Sequence, residues 1–570
     1  MTQTRTFLIV AWLVVAFLLW DAWQKDMHAN PQVVATSSPV EQLDVPGQEV
    51  IDGSVPELSA APAADPTAAA TSASVATPAL DPAESEQVAE IVLANDVLRL
   101  HVAATGGTLR SAELLAYPRE LKGDTRPVEL LSQEAEQFFI AQSGLVGQPA
   151  APSHQTAMQA TSGDRVLADG EEHIDLSFIW QGPDGVQVQR RYQLERGSYL
   201  LKIEDTVLNQ GDQPWSGNAY HQLVRVAPPT PKGGFTNPER LSFVGAAWYS
   251  PQDKFEKLKF DKFDPAKPMQ RTVTDGWIAM LQHYFVAAIV PPSGEATGFS
   301  NAVLPNGRYL MREMGQTLNV APGAQASTAV DLYLGPKLRH QLEDISPGLG
   351  LTLDYGIFTV IAQPIHWLLS LLHSLIGNWG WAIVLLVVLI KAAMFKLSEA
   401  QYRSFARMRR IQPRLEALKE RFGDDRQKYQ TAMMELYKKE KINPLGGCLP
   451  ILVQFPVFLS LYWVLIEAVE LRQAPWILWI QNLSAPDPYF ILPVINLVTM
   501  WATQKLSPTP GMDPMQKRMM QTMPLVFGVM FAFFPAGLVL YWTTNGALGL
   551  LQQWLIMRRH GEPATPQPAK

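Results

Sequence analysis

Residues 377–398, GNWGWAIVLLVVLIKAAMFKLS, decide the architecture of this 570-residue chain. The apolar run from Trp379 to Phe395 is nearly long enough to cross a bilayer, which takes about 20 such residues. One lysine, Lys391, lies inside that run. A charge at this depth costs about 2.5 to 3.5 kcal/mol. We therefore expect Lys391 to face protein or water, and we take it as a candidate functional residue. Alternatively, its flexible stem carries the ammonium to the lipid headgroups.

Composition limits the possible functions. The chain is 47% hydrophobic with a formal net charge of -7, which argues against a generally basic nucleic-acid binder, and we expect no DNA partner. A single cysteine, Cys448, excludes an intramolecular disulfide and a multi-cysteine metal site. No HExxH, GxSxG or Walker-type motif occurs. We therefore expect no catalytic residues, no cofactor and no metal.

The first 87 residues are predicted to form a membrane anchor followed by a disordered linker. An apolar run at 7–20 fits either a signal peptide or an uncleaved anchor. The bulky and charged residues after it, DAWQKDMH, favour the anchor, which we place at 1–27. Residues 28–87 are rich in Ala, Pro, Ser and Thr and poor in aromatics, so they cannot bury enough surface to fold.

Residues 88–346 show a different pattern. Short alternating segments such as HIDLSFIW and VQVQRRYQL recur between Gly, Pro and Asn turns. Alternation with period two over some 250 residues predicts a large antiparallel β-sandwich. Its histidines lack the spacing of metal ligands, so we interpret them as ordinary surface or core residues.

Two further segments flank the Lys391 run. Residues 347–376 carry an apolar stripe at steps of three and four, which predicts an amphipathic helix along the outer membrane interface; a core helix of the soluble domain is the alternative. Residues 398–443 are charged and rich in arginine and lysine, and Gly423 with the following aspartates predicts the turn of a helical hairpin. Its charges form either a solvated face or a surface for anionic lipids or RNA.

Residues 444–557 contain four more apolar runs. Positive charge next to membrane spans marks the cytoplasmic side. Lysines and arginines lie in some of the loops next to these runs and in the tail at 558–570, and we therefore place those loops and the tail in the cytoplasm. With the anchor and the Lys391 span at 377–397, this predicts six crossings with both termini cytoplasmic. Polar residues within the runs, such as Gln454, Thr543 and Asn545, must find protein or water partners, so we expect them to face inward with Lys391 around a wet cavity.

Long motifs in this order resemble the YidC/Oxa/Alb family of membrane protein insertases, in the form found in Gram-negative bacteria. The similarity covers nearly the whole chain and is carried by GNWGWAI (377–383), LSEAQYRSFARM (397–408), NPLGGCLPILVQFP (443–456), ELRQAP (470–475), DPMQ (513–516), FPAGLVLYW (534–542), AYPREL (116–121) and AQSGLVG (141–147).

The resemblance implies a polytopic α-helical membrane protein with one anchor, a large periplasmic antiparallel β-supersandwich and a five-helix core. It implies a groove open to cytoplasm and lipid but closed to the periplasm, with Lys391, Gln454, Trp542 and Thr543 in the groove. Family members usually carry arginine at the position of Lys391. Lysine keeps the positive charge but cannot donate the two parallel hydrogen bonds that a guanidinium forms with a carboxylate. Substrate helices would slide past Leu449, Pro450, Phe455, Leu525, Phe527 and Met530.

The function implied is that of a nonenzymatic insertase and chaperone of the bacterial inner membrane. Its partners would be nascent membrane proteins, the Sec translocon, membrane lipids, and ribosomes or targeting factors that bind the cytoplasmic hairpin. From the residues alone, two other classes stay open. They are a transporter or channel with Lys391 as an ion site, and an anchored periplasmic enzyme that uses the β domain.

Overall fold

The computed structural model describes residues 55–56, 90–121, 123–229, 240, 242–422, 425–440, 449–506 and 514–560. The predicted anchor at 1–27, nearly all of the predicted linker and the tail beyond His560 lie outside these residues, so those predictions stay predictions.

The N-terminal part of the described chain is a sandwich of two β-sheets. One sheet has ten strands in the order β14-β17-β18-β11-β5-β3-β2-β1-β7, with β4 beside β3, and the other has nine in the order β13-β12-β15-β16-β19-β10-β9-β8-β6. The strands are β1 Glu90–Ala94, β2 Leu98–Ala103, β3 Leu109–Pro118, β4 Pro127–Leu131, β5 Phe139–Gln148, β6 Gln159–Ala160, β7 Arg165–Val166, β8 His173–Gln181, β9 Val186–Glu195, β10 Leu200–Asn209, β11 Trp215–Arg225, β12 Gly245–Ser250, β13 Lys254–Leu258, β14 Gln270–Thr274, β15 Trp277–Leu281, β16 Phe285–Val290, β17 Ala296–Val303, β18 Tyr309–Val320 and β19 Gln325–Pro336.

The alternation in the sequence gives these strands one buried face. In β9, Val188, Tyr192 and Leu194 are fully buried, whereas Gln189 and Gln193 between them are not. The pairing of β9 with β10 and β8 is antiparallel, and β1 with β7 is a parallel exception. The predicted large β-sandwich is confirmed.

One ion pair is buried between the two sheets. Arg190 on β9 donates from Nε and Nη2 to the two carboxylate oxygens of Asp205 on β10, at 2.7 and 2.8 Å. Its Nη1 donates to the carbonyls of Gly106 and Ser143, both at 2.7 Å; Ser143 lies on β5 of the opposite sheet, and Gly106 lies in the turn between β2 and β3 of that sheet. Because the guanidinium is fully paired, its charge joins the two sheets without an orphaned donor.

The C-terminal part is helical, with its longest helices packed side by side. The helices are α1 Arg339–Ile345, α2 Thr359–Ile376, α3 Trp379–Ala393, α4 Phe395–Arg410, α5 Gln412–Phe422, α6 Arg426–Lys439, α7 Leu449–Glu467, α8 Ile491–Leu506, α9 Pro514–Phe531 and α10 Ala536–His560. Helix α10 packs against α8, α3 and α4, while α2 packs against α3 and α7. Helix α9 packs against α8.

Length and hydropathy alone identify few spans among the described residues. Gly356–Ile376 qualifies by itself, and Trp379–Ala393 with Phe395–Ser404 qualifies when the two parts are counted together across a bend of 66°. Helices α3 and α8 have 15 and 16 residues and are short for a bilayer. The six crossings, and the interfacial position of residues 347–376, stay predictions.

The predicted cytoplasmic hairpin contains three helices. Helix α4 continues from the bend and is followed by α5 and α6, which pack against each other. Met408 of α4, Leu415 of α5 and Tyr437 of α6 are buried together in a small apolar cluster. Asp425 caps α6 by accepting from the backbone N–H groups of Gln427 and Lys428, as the sequence predicts for an aspartate at this position.

The β domain contacts the helical part directly. Ser242 Oγ donates to Glu467 Oε1 at 2.7 Å, at the last residue of α7. His283 Nε2 lies 3.0 Å from the carbonyl oxygen of Ile466 and therefore carries the proton that it donates. Gln473 Nε2 donates to the carbonyl of Pro118 at 3.1 Å. These bonds fix the end of α7 and the loop after it to the sandwich.

Candidate functional site: a cationic face inside the helical core

Lys391 lies on the face of α3 that packs into the helical core. Ile383 and Val387, four residues apart, are buried on this face, and Lys391 follows one turn later. The side chain is half-buried. Its ammonium points to α10, where a Cβ built on Gly549 would lie 3.6 Å from Lys391 Nζ. The charge is therefore directed into the protein at this end of α3.

The bend between α3 and α4 brings a tyrosine to the same place. Tyr402 on α4 is buried, and its hydroxyl donates to the carbonyl oxygen of Gly549 at 3.2 Å. The same hydroxyl would lie 3.6 Å from a Cβ at Gly549. Three helices thus meet around Lys391 Nζ, and a glycine forms the side contributed by α10.

No described carboxylate forms an ion pair with Lys391, and no hydrogen bond of its ammonium to a described group is present. Lys396, one turn and a half further along the chain, is by contrast exposed. A half-buried cation without a counter-ion is costly unless a ligand or water solvates it. This combination marks Lys391 as the centre of the candidate site.

A second polar contact lies one turn nearer the β domain. Gln454 on α7 donates from Nε2 to Asn545 Oδ1 on α10 at 2.6 Å, and both residues are part-buried. The pair forms a polar layer between Lys391 and the ends of the helices that lie toward the β domain. The bond pairs the Gln454 Nε2 donor with the Asn545 Oδ1 acceptor, as polar groups within a helical core require.

Aromatic rings cover the site on the side of the β domain. The Trp542 ring lies 4.8 Å from that of Phe458 and 5.4 Å from that of Phe531. Tyr462 contacts Phe534 at 6.1 Å between ring centroids. These contacts join α7, α9 and α10 near the ends that lead to the β domain, and they make that end of the site apolar.

The site residues of α10 share one helical face. Trp542, Asn545, Gly549 and Gln553 recur at steps of three and four, so they form a stripe along the helix. Gln553 is 0% exposed, and neither of its amide atoms has a hydrogen-bond partner among the described residues. The stripe is therefore apolar and aromatic at one end and polar at the other.

Thr543 lies on a different face. Its Oγ1 is 3.4 Å from the carbonyl oxygen of Leu492 on α8, and it is buried there. Successive residues of a helix are about 100° apart around its axis, so Thr543 cannot share the direction of Trp542. The structure brings Lys391, Gln454 and Trp542 to one side of α10 and does not bring Thr543 there.

The predicted apolar slide is partly exposed at the surface of α7 and α9. Phe455 is 56% exposed and Leu525 57%, whereas Phe527 and Met530 are half-buried against the core. Leu449 and Pro450 are the first residues of α7, and their side chains are outside the described part of the structure. The slide assignment stays a prediction for all six residues.

Sequence reasoning did not select two residues that the structure places beside Lys391. Tyr402 lies in the charged segment at 398–443 and within the motif LSEAQYRSFARM. No pattern in the sequence indicates, however, that α4 turns back to α10. Gly549 is detectable only as part of the stripe at 542, 545 and 549, once α10 is known to face α3. Among the described residues, no three metal-ligating side chains cluster.

Comparisons with known proteins agree with this architecture. Family models match for the 60Kd inner membrane protein over residues 371–563 and for the YidC periplasmic domain over residues 90–368. Membrane protein insertase YidC of Xanthomonas campestris pv. campestris (strain 8004) is 49% identical over 99% of this chain and 98% of its own length. The protein of the same name from Stenotrophomonas maltophilia (strain R551-3) is 47% identical over 100% and 99%.

A solved structure also aligns with the chain. It is described as an active YidC insertase crystal structure with the first transmembrane domain resolved, and it is 18% identical, covers 82% of this chain and 92% of its own, and gives a TM-score of 0.39.

Proposed function

The chain belongs to the YidC family of membrane protein insertases, and we propose that it inserts its clients by docking their hydrophilic segments at Lys391. The family is nonenzymatic, resides in the inner membrane and acts on nascent membrane proteins. The observation that carries the proposal is the half-buried ammonium of Lys391, which has no described counter-ion and is directed to Gly549 of α10, where the Tyr402 hydroxyl of α4 also lies.

The docking step is electrostatic. A carboxylate at about 4 Å from an ammonium gains about 4 kcal/mol at an effective dielectric constant near 20. This gain offsets much of the cost of removing a client's polar segment from water. Lys391 would hold the segment transiently because a single ammonium, unlike a guanidinium, does not form a bidentate pair with a carboxylate.

Release to lipid is driven by the client's apolar helix. Burial of its surface in lipid contributes about 25 cal/mol per Å². We place the exit path along α7 and α9, where Phe455, Leu525 and Val529 are exposed. Helices α3 and α8 are about 22 to 24 Å long at 1.5 Å per residue, which favours local thinning of the bilayer and shortens the polar path.

The proposed topology has six spans, both termini in the cytoplasm and the β domain in the periplasm. The excess of lysine and arginine at 398–443 supports a cytoplasmic hairpin. We propose that α4 to α6 transiently receive ribosomes or targeting factors, and that the protein works alone or beside the Sec translocon.

The test is substitution of Lys391 in the full chain. We expect Lys391→Ala to reduce insertion of short-tailed clients in proteoliposomes about tenfold or more, and Lys391→Glu to reduce it further because it repels acidic tails. Lys391→Arg should retain activity because it keeps the charge. Lys396→Ala is the matched control, since it removes an exposed lysine nearby. Equal insertion by Lys391→Ala and the parent would refute the docking role.

A further inference from the structure

The β domain contains a cavity of about 380 Å³ that the proposed insertion mechanism does not use. Phe138, Ile140 and Gln142, at the start of β5, line it. They alternate with Phe139 and Ala141, which are buried in the main core. The cavity therefore lies on the face of the ten-stranded sheet that points away from the second sheet. Its volume is in the range of small-molecule sites.

The two loops that border the cavity are held together. The Gly106 N–H, in the turn between β2 and β3, donates to the carbonyl of Thr156 at 2.7 Å, and a Cβ at Gly106 would lie 2.2 Å from the carbonyl oxygen of His154. The backbone N–H of His154 donates to Tyr220 Oη at 3.1 Å, and its ring Nδ1 lies 2.7 Å from the same hydroxyl. This wall of the cavity is therefore already formed without a ligand.

A chain of hydrogen bonds fixes the amide of Gln142. Arg312 Nε donates to Oε1 of the fully buried Gln222 at 2.9 Å. Because a guanidinium has no acceptor, this bond sets the orientation of the Gln222 amide, whose Nε2 donates to Gln142 Oε1 at 2.8 Å. The amide nitrogen of Gln142 has no partner among the described residues. Its N–H groups can therefore donate to a ligand in the cavity that Gln142 lines.

Other lining residues supply acceptors. Gln133 Nε2 and Arg110 Nη1 both donate to Glu90 Oε1, each at 3.2 Å. This leaves Gln133 Oε1 to accept, and the carboxylate of Glu90 compensates the charge of Arg110. Thr105 and Thr108 add hydroxyl groups, which both donate and accept. The cavity thus offers donors and acceptors together with little net charge.

We propose that this cavity binds a neutral saccharide. Each hydroxyl of a sugar both donates and accepts, which matches side-chain amides and hydroxyls, and the C–H face of a sugar ring can pack on Phe138 and Ile140. The site is one for binding rather than turnover. Among the described residues that line it none is a carboxylate, whereas glycoside hydrolysis ordinarily uses a pair of them. The inference concerns the β domain and goes beyond the proposed function.

The position of the cavity disfavours a peptide. A peptide that binds by strand addition needs a free sheet edge, but β5 lies inside the ten-stranded sheet between β11 and β3. A peptide helix needs a continuous apolar groove, and only Phe138 and Ile140 are apolar among the described lining residues. We therefore assign the saccharide and treat the peptide as an outcome of the test.

The first experiment measures binding directly. The full chain in nanodiscs is studied by saturation-transfer NMR with maltose, lactose, N,N′-diacetylchitobiose and tri-alanine, and empty nanodiscs are the blank. We expect transfer to at least one of the three saccharides and none to tri-alanine. Transfer to no saccharide would overturn the proposal, and transfer to tri-alanine alone would make the cavity a peptide site.

The second experiment locates the binding. Gln142→Glu keeps the size of the side chain and can still accept from Gln222, but it places an acceptor where the cavity had a donor. Affinity for the bound saccharide should fall about tenfold or more. Gln189→Glu is the matched control, since it adds the same charge at an exposed position of the other sheet. Equal affinity of Gln142→Glu and the parent would overturn the site.

A thermal unfolding scan separates lost binding from misfolding. Gln155 is exposed and lines the cavity, so Gln155→Ala should keep the parent Tm and weaken binding several-fold. Loss of binding in Gln142→Glu only together with a lowered Tm, with unchanged binding in Gln155→Ala, would overturn the proposal.

These measurements do not depend on insertion. Lys391→Ala should bind the saccharide as tightly as the parent, because Lys391 lies in the helical core and not in the β domain. Failure of the docking role would leave that result unchanged. Loss of saccharide binding in Lys391→Ala would place the bound saccharide outside the β-domain cavity and overturn the assignment.

Discussion

The Ser242 hydroxyl donates a 2.7 Å hydrogen bond to the carboxylate of Glu467, and this bond links the β domain to the last residue of α7. Glu467 is only 3% exposed. Burial lowers the pKa of Lys337, which lies on the β-domain side of the same contact, and the negative charge of Glu467 opposes this shift. Because α7 also carries Gln454, the β domain fixes the outer end of a helix that forms the candidate site.

Ser242→Ala should destabilise this joint. The substitution leaves a buried carboxylate oxygen without its donor, which costs about 1 to 3 kcal/mol. The free energy of unfolding of the full chain in detergent is the measurement. Ser216→Ala is the control, because the exposed Ser216 hydroxyl donates to Asn319 on the surface and should matter by less than about 0.5 kcal/mol. Equal effects of the two substitutions would show that the joint adds nothing to stability.

The buried Arg190–Asp205 pair should be far more sensitive than a surface pair. Arg190→Met leaves Asp205 charged and unpaired between the sheets, and we expect a loss of about 3 to 5 kcal/mol. Arg190→Met with Asp205→Leu should recover most of this loss. Arg99→Ala, which breaks the exposed pair with Glu113, should cost about 1 kcal/mol or less. A double variant as unstable as Arg190→Met would contradict the explanation.

Burial of Glu313 predicts that stability declines as the pH rises from about 4.5 to about 8. Burial raises the pKa of Glu313 from 4.5 to about 8. The folded state therefore binds this proton more tightly than the unfolded state, and its contribution is complete below about pH 4.5 and is lost as the pH rises toward 8. Between pH 6.5 and 8 the parent should lose about 2 kcal/mol of unfolding free energy through this group.

Glu313→Gln should abolish that decline, measured by denaturant unfolding at several pH values. In the unfolded state His221 and His283 have their ordinary pKa of about 6.5 and are about half protonated at pH 6.5, whereas in the folded state burial lowers the pKa of His221 to about 4 and that of His283 to about 3. Both histidines contribute equally in the parent and in Glu313→Gln, so the difference between the two pH profiles isolates Glu313. Glu256→Gln, at an exposed glutamate on β13, is the control. An unchanged slope in Glu313→Gln would refute this assignment.

The Gln454–Asn545 layer should matter for insertion more than for stability. Replacing both residues with leucine removes two part-buried polar groups together, which is close to neutral or stabilising for the fold. We expect the double variant to keep its Tm and to lose several-fold in insertion, because the polar layer beside Lys391 becomes apolar. Thr543→Val, on the face toward α8, serves as the control and should insert normally. Reduced insertion by the Thr543→Val variant alone would show that Thr543 belongs to the groove.

Much of the architecture follows from local patterns in the sequence. Alternation with period two identifies the sandwich because strands such as β9 bury every second residue, and this needs no knowledge of the partner strand. The position of Lys391 is equally local, since a charge within an apolar run is expensive wherever the run packs. The polar stripe of α10 is visible for the same reason, because helical spacing groups Trp542, Asn545 and Gly549.

Only the tertiary structure decided what Lys391 faces. The 66° bend after α3 carries Tyr402 back to Gly549, and the packing of α10 between α3 and α8 sends Thr543 away from the site. Periodicity states which residues of one helix share a direction, but the direction itself depends on contacts between segments that lie 51 to 147 residues apart in the sequence. The sequence therefore determined that a buried charge exists, and the packing of distant helices determined which groups lie beside it.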